Sequence, residues 1–282
     1  MTQWNLIIDV SLCENCNNCV LAAKDELVGN DFPGFSAAMP ANGRGVIRIE
    51  RHIRGSGHHV DVTHWPVLCN HCRDAPCVEA GGGSVTQRPD GIVVFDPEKV
   101  KGRRDLLDCC PYGALVWNEA AQVPQNWFFD AHLLDAGSTE PRCVGVCPTR
   151  ALEAVKSDDS SMVARAAREG LQTLQPELGT RPRVYYRHLE RLQTVFVAGS
   201  VSYRDAQGRA ECLQGASVVL TGQGRAVASA TTDAYGDFRL DGLPIGSGPA
   251  ELMVTHPQHG SWTRSIVIGN HCVVVPDIEL GA

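Results

Sequence analysis

Cys13-Glu-Asn-Cys16-Asn-Asn-Cys19 decides how the first two-thirds of this chain must fold. Three thiols recur at every third position, the spacing that lets a short loop curl round one corner of an iron–sulfur cubane and reach three of its irons. A fourth cysteine would continue the run at position 23, and Ala23 stands there. The loop therefore supplies three thiolates, and the fourth has to come from elsewhere in the sequence.

The chain of 282 residues carries twelve cysteines, ten of them before residue 150 in four groups. Clustered C-x₂-C runs in a reducing compartment point to metal rather than disulfides. The second group is Cys69-Asn-His-Cys72-Arg-Asp-Ala-Pro-Cys77, again three local thiols, with Gly81 where a fourth would fall. The third keeps only Cys110, followed by Pro111; Val100, Arg103 and Leu106 occupy the other three positions, and Cys109 beside it reads as a buried thiol. The fourth ends Cys143-Val-Gly-Val-Cys147-Pro148, with Trp127 and Asp130 where its opening pair would be.

Bacterial ferredoxins with two clusters exchange fourth ligands between their Cys runs. The same exchange here pairs the first group with the last and the second with the third. One 4Fe-4S cluster is then expected on Cys13, Cys16, Cys19 and Cys147, and a second on Cys69, Cys72, Cys77 and Cys110. A third set would be Ala23, Trp127, Asp130 and Cys143, and a fourth Gly81, Val100, Arg103 and Leu106; neither holds a cubane. Structural zinc is the competing reading of C-x₂-C pairs, but zinc knuckles contribute two thiols each. Here the division is three plus one, with proline directly after the lone cysteine.

Composition narrows the function classes. The chain is 43% hydrophobic and 20% charged, so it can bury a core, and its net charge of −7 argues against nucleic acid as a partner. No apolar run approaches the length needed to span a bilayer. The N-terminus Met1-Thr-Gln-Trp4 lacks the basic and apolar regions of a secretory signal, which favours a cytoplasmic location. Residues 5–10 read as a buried strand, Val20 to Leu27 as a helix and Gly91–Asp96 as one strand of a hairpin. Residues 30–66, rich in Gly and Pro, read as an insertion with little regular structure; its His52, His58, His59 and His64 read as exposed or interface histidines, with a metal site the sharper alternative. Residues 157–175 read as an amphipathic helix capped by Ser157 or Asp158. From Val195 onward seven short β-rich runs alternate with turns, the texture of an immunoglobulin-like β-sandwich. Cys212 and Cys272 within it read as free thiols. The fold class expected is α+β: a duplicated ferredoxin-like iron–sulfur domain over 1–194, then an immunoglobulin-like all-β sandwich over 195–282.

Beyond the cysteines, the blocks Asp25-Glu26, Ala75-Pro-Cys77, Asp90-Gly-Ile-Val93, Asp96-Pro-Glu-Lys99, Cys110-Pro-Tyr-Gly113, Ala131-His-Leu-Leu-Asp135, Pro141-Arg-Cys143 and Pro176-Glu-Leu-Gly-Thr180 resemble the iron–sulfur beta subunits of the dimethyl-sulfoxide-reductase superfamily. They are most similar to the small subunits of the pyrogallol–phloroglucinol transhydroxylase and resorcinol hydroxylase type. The resemblance implies a large partner subunit holding a molybdenum bis-guanine dinucleotide cofactor, acting on polyhydroxylated aromatic rings by transhydroxylation or hydroxylation. It implies that this chain is the electron-transfer subunit, with the Cys13 cluster facing the molybdenum and no catalytic residue of its own. It also implies a third cluster from the first and last Cys groups, which Ala23, Trp127 and Asp130 remove here. A mainly structural subunit, whose clusters stabilise fold and interface, and a free-standing ferredoxin-type carrier are the alternatives.

Overall fold

Leu6, Ile7, Ile8 and Val10 form an apolar run that is almost wholly buried, and it is the centre of the iron–sulfur half. In the computed structural model, which describes residues 1–281, the strand Gln3–Asp9 lies in the middle of a three-stranded sheet. It pairs antiparallel with Leu152–Ser157 and parallel with Val184–Arg187. A strand covered on both faces reads as a continuous apolar run rather than an alternation. The helix Asn18–Leu27 follows the first Cys loop and buries Cys19, Ala22, Ala23 and Leu27. Two small hairpins, Val85–Gln87 with Val93–Phe95 and Val116–Asn118 with Val123–Gln125, enclose an apolar cluster with the 3₁₀ turn Arg104–Cys109. The helix Asp159–Glu169 is capped by Asp158, whose carboxylate accepts from Ser161 N at 2.9 Å. Only Met162 of its expected apolar face is buried, while Val163 is exposed, because the helix lies on the surface.

The last third of the chain is an immunoglobulin-like sandwich of two sheets. Strand Thr194–Arg204 pairs with Ala210–Cys212, Asp237–Pro244, Val273–Val274 and Ile278–Leu280. The facing sheet runs Arg225–Thr231, Ser217–Gly222, Gly248–His256, Gly260–Ile268. Leu252 and Val254 point inward and Met253 outward, the period-two pattern of a sheet with one wet face. Val197, Val218, Leu220, Leu252 and Val254 are fully buried between the sheets, at roughly 1.5–3 kcal/mol of transfer free energy for each large side chain. Cys212 and Cys272 are free, and the Cys272 sulfur accepts the Phe196 N–H at 3.3 Å.

Residues 30–66 differ from the sequence reading. Arg48–Ser56 and His59–Val67 form a hairpin of two nine-residue strands. The two compact units of the chain are Met1–Arg51 with His64–Leu189, and His52–Thr63 with Glu190–Ala282, so the hairpin tip belongs with the sandwich sequence. The cause is local. Arg54 is buried and donates to Asp61 Oδ2 at 2.7 Å, to Thr194 O at 3.1 Å and to Asp241 Oδ1 at 3.2 Å. Gly55 sits at φ +82°, and a Cβ there would lie 2.0 Å from His59 O and 2.5 Å from the Phe196 ring, so only glycine fits.

Asp61 also accepts from Arg191 at 2.7 Å. Burial alone raises its pKa, but the hydrogen bonds from Arg54 and Arg191 prevail and hold it at about 2. A depressed folded-state pKa contributes stability that is present above the unfolded value near 3.8 and lost as pH falls through about 2. The contribution is roughly 2 kcal/mol. Amide exchange over residues 194–204, corrected for intrinsic rate, is expected to accelerate between pH 4 and pH 2 in the native chain. Asp61→Asn is expected to show the weaker protection already at neutral pH, with a flatter dependence below pH 4.

Candidate metal centres

The pairing of Ile8 with Leu152 brings the first and last Cys groups together. Cys13 follows Ile8 by five residues and Cys147 precedes Leu152 by five, so antiparallel pairing delivers both to the same end of the sheet. Asn15 and Asn17 take left-handed conformations, φ 58° and 62°, which turn the loop on itself. Asparagine enters that region at low cost, which explains its place between the thiols. Asn18 Nδ2 reaches Val146 O at 3.3 Å and ties the loop to the residue before Cys147. Cys13, Cys16, Cys19 and Cys147 line one hollow, walled by Ile49 and Pro66. Burial, with the charges of the neighbouring thiols, raises Cys13 and pushes Cys19 up to about 12.

The second quartet forms where the short helix Pro76–Gly81 packs against the 3₁₀ turn that ends at Cys109. That contact sets Cys110 beside Cys77 and Cys72. Burial pushes Cys72 up to about 11 and Cys77 to about 12, and it raises Cys69 well above the ordinary thiol range. Opposing that rise, Asn126 and the His71 N–H face the Cys69 sulfur and Thr180 faces Cys72. These polar neighbours were not evident from sequence, since only the fold brings residues 126 and 180 to the second Cys group. His71 stands at φ 45°, and its Nδ1 accepts the Val93 N–H at 3.0 Å. Burial lowers its pKa to about 3, so the ring is neutral with its proton on Nε2.

Both quartets suit an inorganic core. Four sulfur ligands crowded in a partly dry pocket cannot ionise without a cation to offset desolvation and mutual repulsion, whereas a coordinating metal deprotonates them outright. Backbone amides of Asn15, Val20, His71 and Val78 lie near the sulfurs and favour their ionised form, against the effect of burial. Among the described residues all twelve cysteines are free.

The other two sets are filled differently. Val100 and Leu106 are fully buried in the hairpin core, and a Cβ on Gly81 would meet Val85 at 2.7 Å. Hydrocarbon fills the inner part of that set, and Arg103 at its edge donates to Ala80 O at 3.1 Å and to Asp105 at 2.7 Å. Trp127 is also fully buried, stacked 4.7 Å from Phe129 and 5.6 Å from His71. Asp130 Oδ2 accepts Arg142 N at 2.8 Å and so holds the segment that carries Cys143. The same segment is fastened by Arg142 to Asp25 at 2.6 Å and to Glu26, which also accepts from His132 at 2.7 Å. Cys143 is buried beside Cys19, Cys147 and Asp130, and burial raises its thiol strongly.

A chain with these two thiol quartets and a C-terminal sandwich has a full-length counterpart among known proteins. It is 40% identical to the pyrogallol hydroxytransferase small subunit of Pelobacter acidigallici, over 99% of this chain and 100% of that one. It belongs to that family of iron–sulfur subunits. Residues 60–157 match the 4Fe-4S dicluster domain and residues 197–280 the carboxypeptidase regulatory-like domain. The thiosulfate reductase electron transfer subunit of Salmonella typhi is 31% identical over 57% of this chain and 79% of its own. The arsenate respiratory reductase iron-sulfur subunit of a Shewanella species is 26% identical over 65% of this chain and 95% of its own. The chain is an iron–sulfur electron-transfer protein of this family, and no helix among the described residues is long and apolar enough to cross a membrane.

Proposed function

We propose that the chain is the electron-transfer subunit of a heterodimeric molybdenum enzyme that transhydroxylates or hydroxylates polyhydroxylated aromatic rings in the cytoplasm. The large partner would hold the bis-molybdopterin guanine dinucleotide cofactor. The observation that carries this reading is end-to-end likeness to a pyrogallol hydroxytransferase small subunit, sandwich included, together with two converged thiol quartets. The thiosulfate and arsenate reductase subunits match 57% and 65% of the chain, leaving much of it without a counterpart in them.

In this reading Cys13, Cys16, Cys19 and Cys147 hold one 4Fe-4S cluster, and Cys69, Cys72, Cys77 and Cys110 hold the other, in a duplicated ferredoxin-like module. Such a cluster supplies reversible one-electron transfer at a potential set by burial and hydrogen bonds to sulfur. The chain's part is to position the thiolates and to exclude water with Ile49, Pro66 and the hairpin core.

A second reading has its own observation. Ala23, Trp127 and Asp130 are buried in three of the four places of the third set, and transhydroxylation has no net redox change. The clusters would then serve chiefly to stabilise the subunit and its interface. The purified complex separates the two. About eight irons and eight sulfides per chain are expected. Clusters that titrate reversibly at accessible potentials, and that pass from oxidised to reduced on adding a polyhydroxybenzene whose hydroxylation by water releases two electrons, support electron transfer. Clusters inert to both support the structural reading, and about twelve irons would overturn the assignment of two cubanes.

A further inference from the structure

Successive residues of an extended strand point to opposite faces, so two adjacent histidines should not aim at one place. His58 and His59 do. They sit at the tip of the hairpin, where Gly57 at φ 60° turns the chain and His59 begins the returning strand. Their rings lie 4.2 Å apart, centroid to centroid, on the same side. The nitrogens converge on one point: His58 Nε2 is 3.0 Å and His59 Nε2 3.2 Å from Ser200 Oγ. The same hydroxyl donates to Asp237 Oδ1 at 2.6 Å, and His59 Nε2 lies 4.0 Å from that oxygen. The ligand atoms of His58, His59 and Asp237 all fall within 4.8 Å of one another. Asp277 adds a nearby negative charge.

We propose that His58, His59 and Asp237 bind a divalent first-row metal ion, zinc in the first instance, which fastens the hairpin tip to strand Asp237–Pro244. Two imidazole nitrogens and one carboxylate oxygen are a ligand set that zinc takes in tetrahedral geometry, with bonds of about 2.0–2.2 Å and a fourth position open to water. An ion at the centre of the three would draw the ligand atoms together and displace Ser200 Oγ to its outer edge, where the hydroxyl still donates to Asp237. The imidazoles bind a metal through the lone pair of a neutral ring nitrogen. The competing arrangement is a hydrogen-bond hub, in which the single hydroxyl donates to Asp237 and accepts from both imidazoles.

The test uses the full-length chain with its full iron content, so that vacant thiol quartets do not compete for zinc. The protein is incubated with zinc, dialysed against metal-free buffer, and assayed for zinc and iron together. About one zinc per chain is expected in the native sequence. His58→Ala/His59→Ala and the isosteric Asp237→Asn are each expected to lose it with iron unchanged. Ser200→Ala, which removes the hub and spares the ligands, is expected to keep it. Zinc should also slow amide exchange over residues 52–63 in the native chain and in Ser200→Ala, and in neither ligand variant. Equal zinc in the native chain and Asp237→Asn, no zinc in the native chain, or loss of zinc in Ser200→Ala would overturn the proposal.

Discussion

Cys147→Ala is expected to lower the iron content by about one to four atoms per chain, since three thiolates ligate only three irons of a cubane and leave the fourth labile. Cys147 is 128 residues beyond Cys19, and nothing in its own neighbourhood is a second thiol at cluster spacing except Cys143. It is the pairing of Gln3–Asp9 with Leu152–Ser157 that makes it the fourth member of the first quartet. Combining Cys147→Ala with Cys13→Ala should remove no more than the four irons of that one cluster, because both act on it. Combining it with Cys110→Ala should add a second, independent loss, since each change acts on a different quartet. Cys143→Ala and Cys109→Ala are expected to leave iron unchanged: Cys143 is buried against Asp130, and Cys109 faces the Asp105 carbonyl at 3.7 Å. Iron and sulfide assays, with electron paramagnetic resonance to detect a three-iron remnant, check the series. Iron loss in Cys143→Ala equal to that in Cys147→Ala would sink the assignment.

Trp127→Ala should produce the largest loss of stability of any single change outside the quartets, about 4 kcal/mol. The indole is 1% exposed and stacks on Phe129, which itself packs on Trp4 at 5.7 Å and on His71 at 5.4 Å. Its removal opens a cavity in a wall shared with the second Cys group, and the surroundings are poorly placed to collapse. Phe129 and Asp130 are both held at positive φ, 60° and 50°, a conformation that persists only where packing enforces it. Loss of the indole therefore relaxes the turn that presents Asp130 to Arg142 N and, through it, the segment of Cys143 and Cys147. Thermal inactivation of the iron-replete chain should shift down by roughly 10 °C, with Trp127→Phe shifting it by less than half as much. An unchanged midpoint in Trp127→Ala would show that the aromatic cluster is not a stabilising replacement for the missing metal set.

Periodicity and spacing carried much of the architecture. The buried run at residues 5–10, the helix after Cys19 and seven strands of the sandwich were legible because each obeys a local rule: a continuous apolar stretch, a helical repeat or a period of two. Ala210–Cys212 is exposed along its whole length and Ile278–Leu280 carries a single apolar–polar–apolar alternation, so neither shows a strand signal in the sequence. The hairpin at 48–67 was hidden by its composition. Its strands mix charged and apolar residues, its turn is rich in glycine, and the tip is held by Arg54 and Asp61 rather than by an apolar face.

The sequence by itself determined which residue types sit in which Cys groups, and that two of the four possible sets lack the thiols for a cubane. It also marked a change of texture near residue 195. Only the tertiary structure decided which distant sulfurs share a pocket, because the register of one antiparallel strand pair and the packing of one short helix bring them together. The same holds for His58, His59 and Asp237. A strand's alternation separates neighbouring side chains, and only a turn docked on another sheet brings such groups back to a common point.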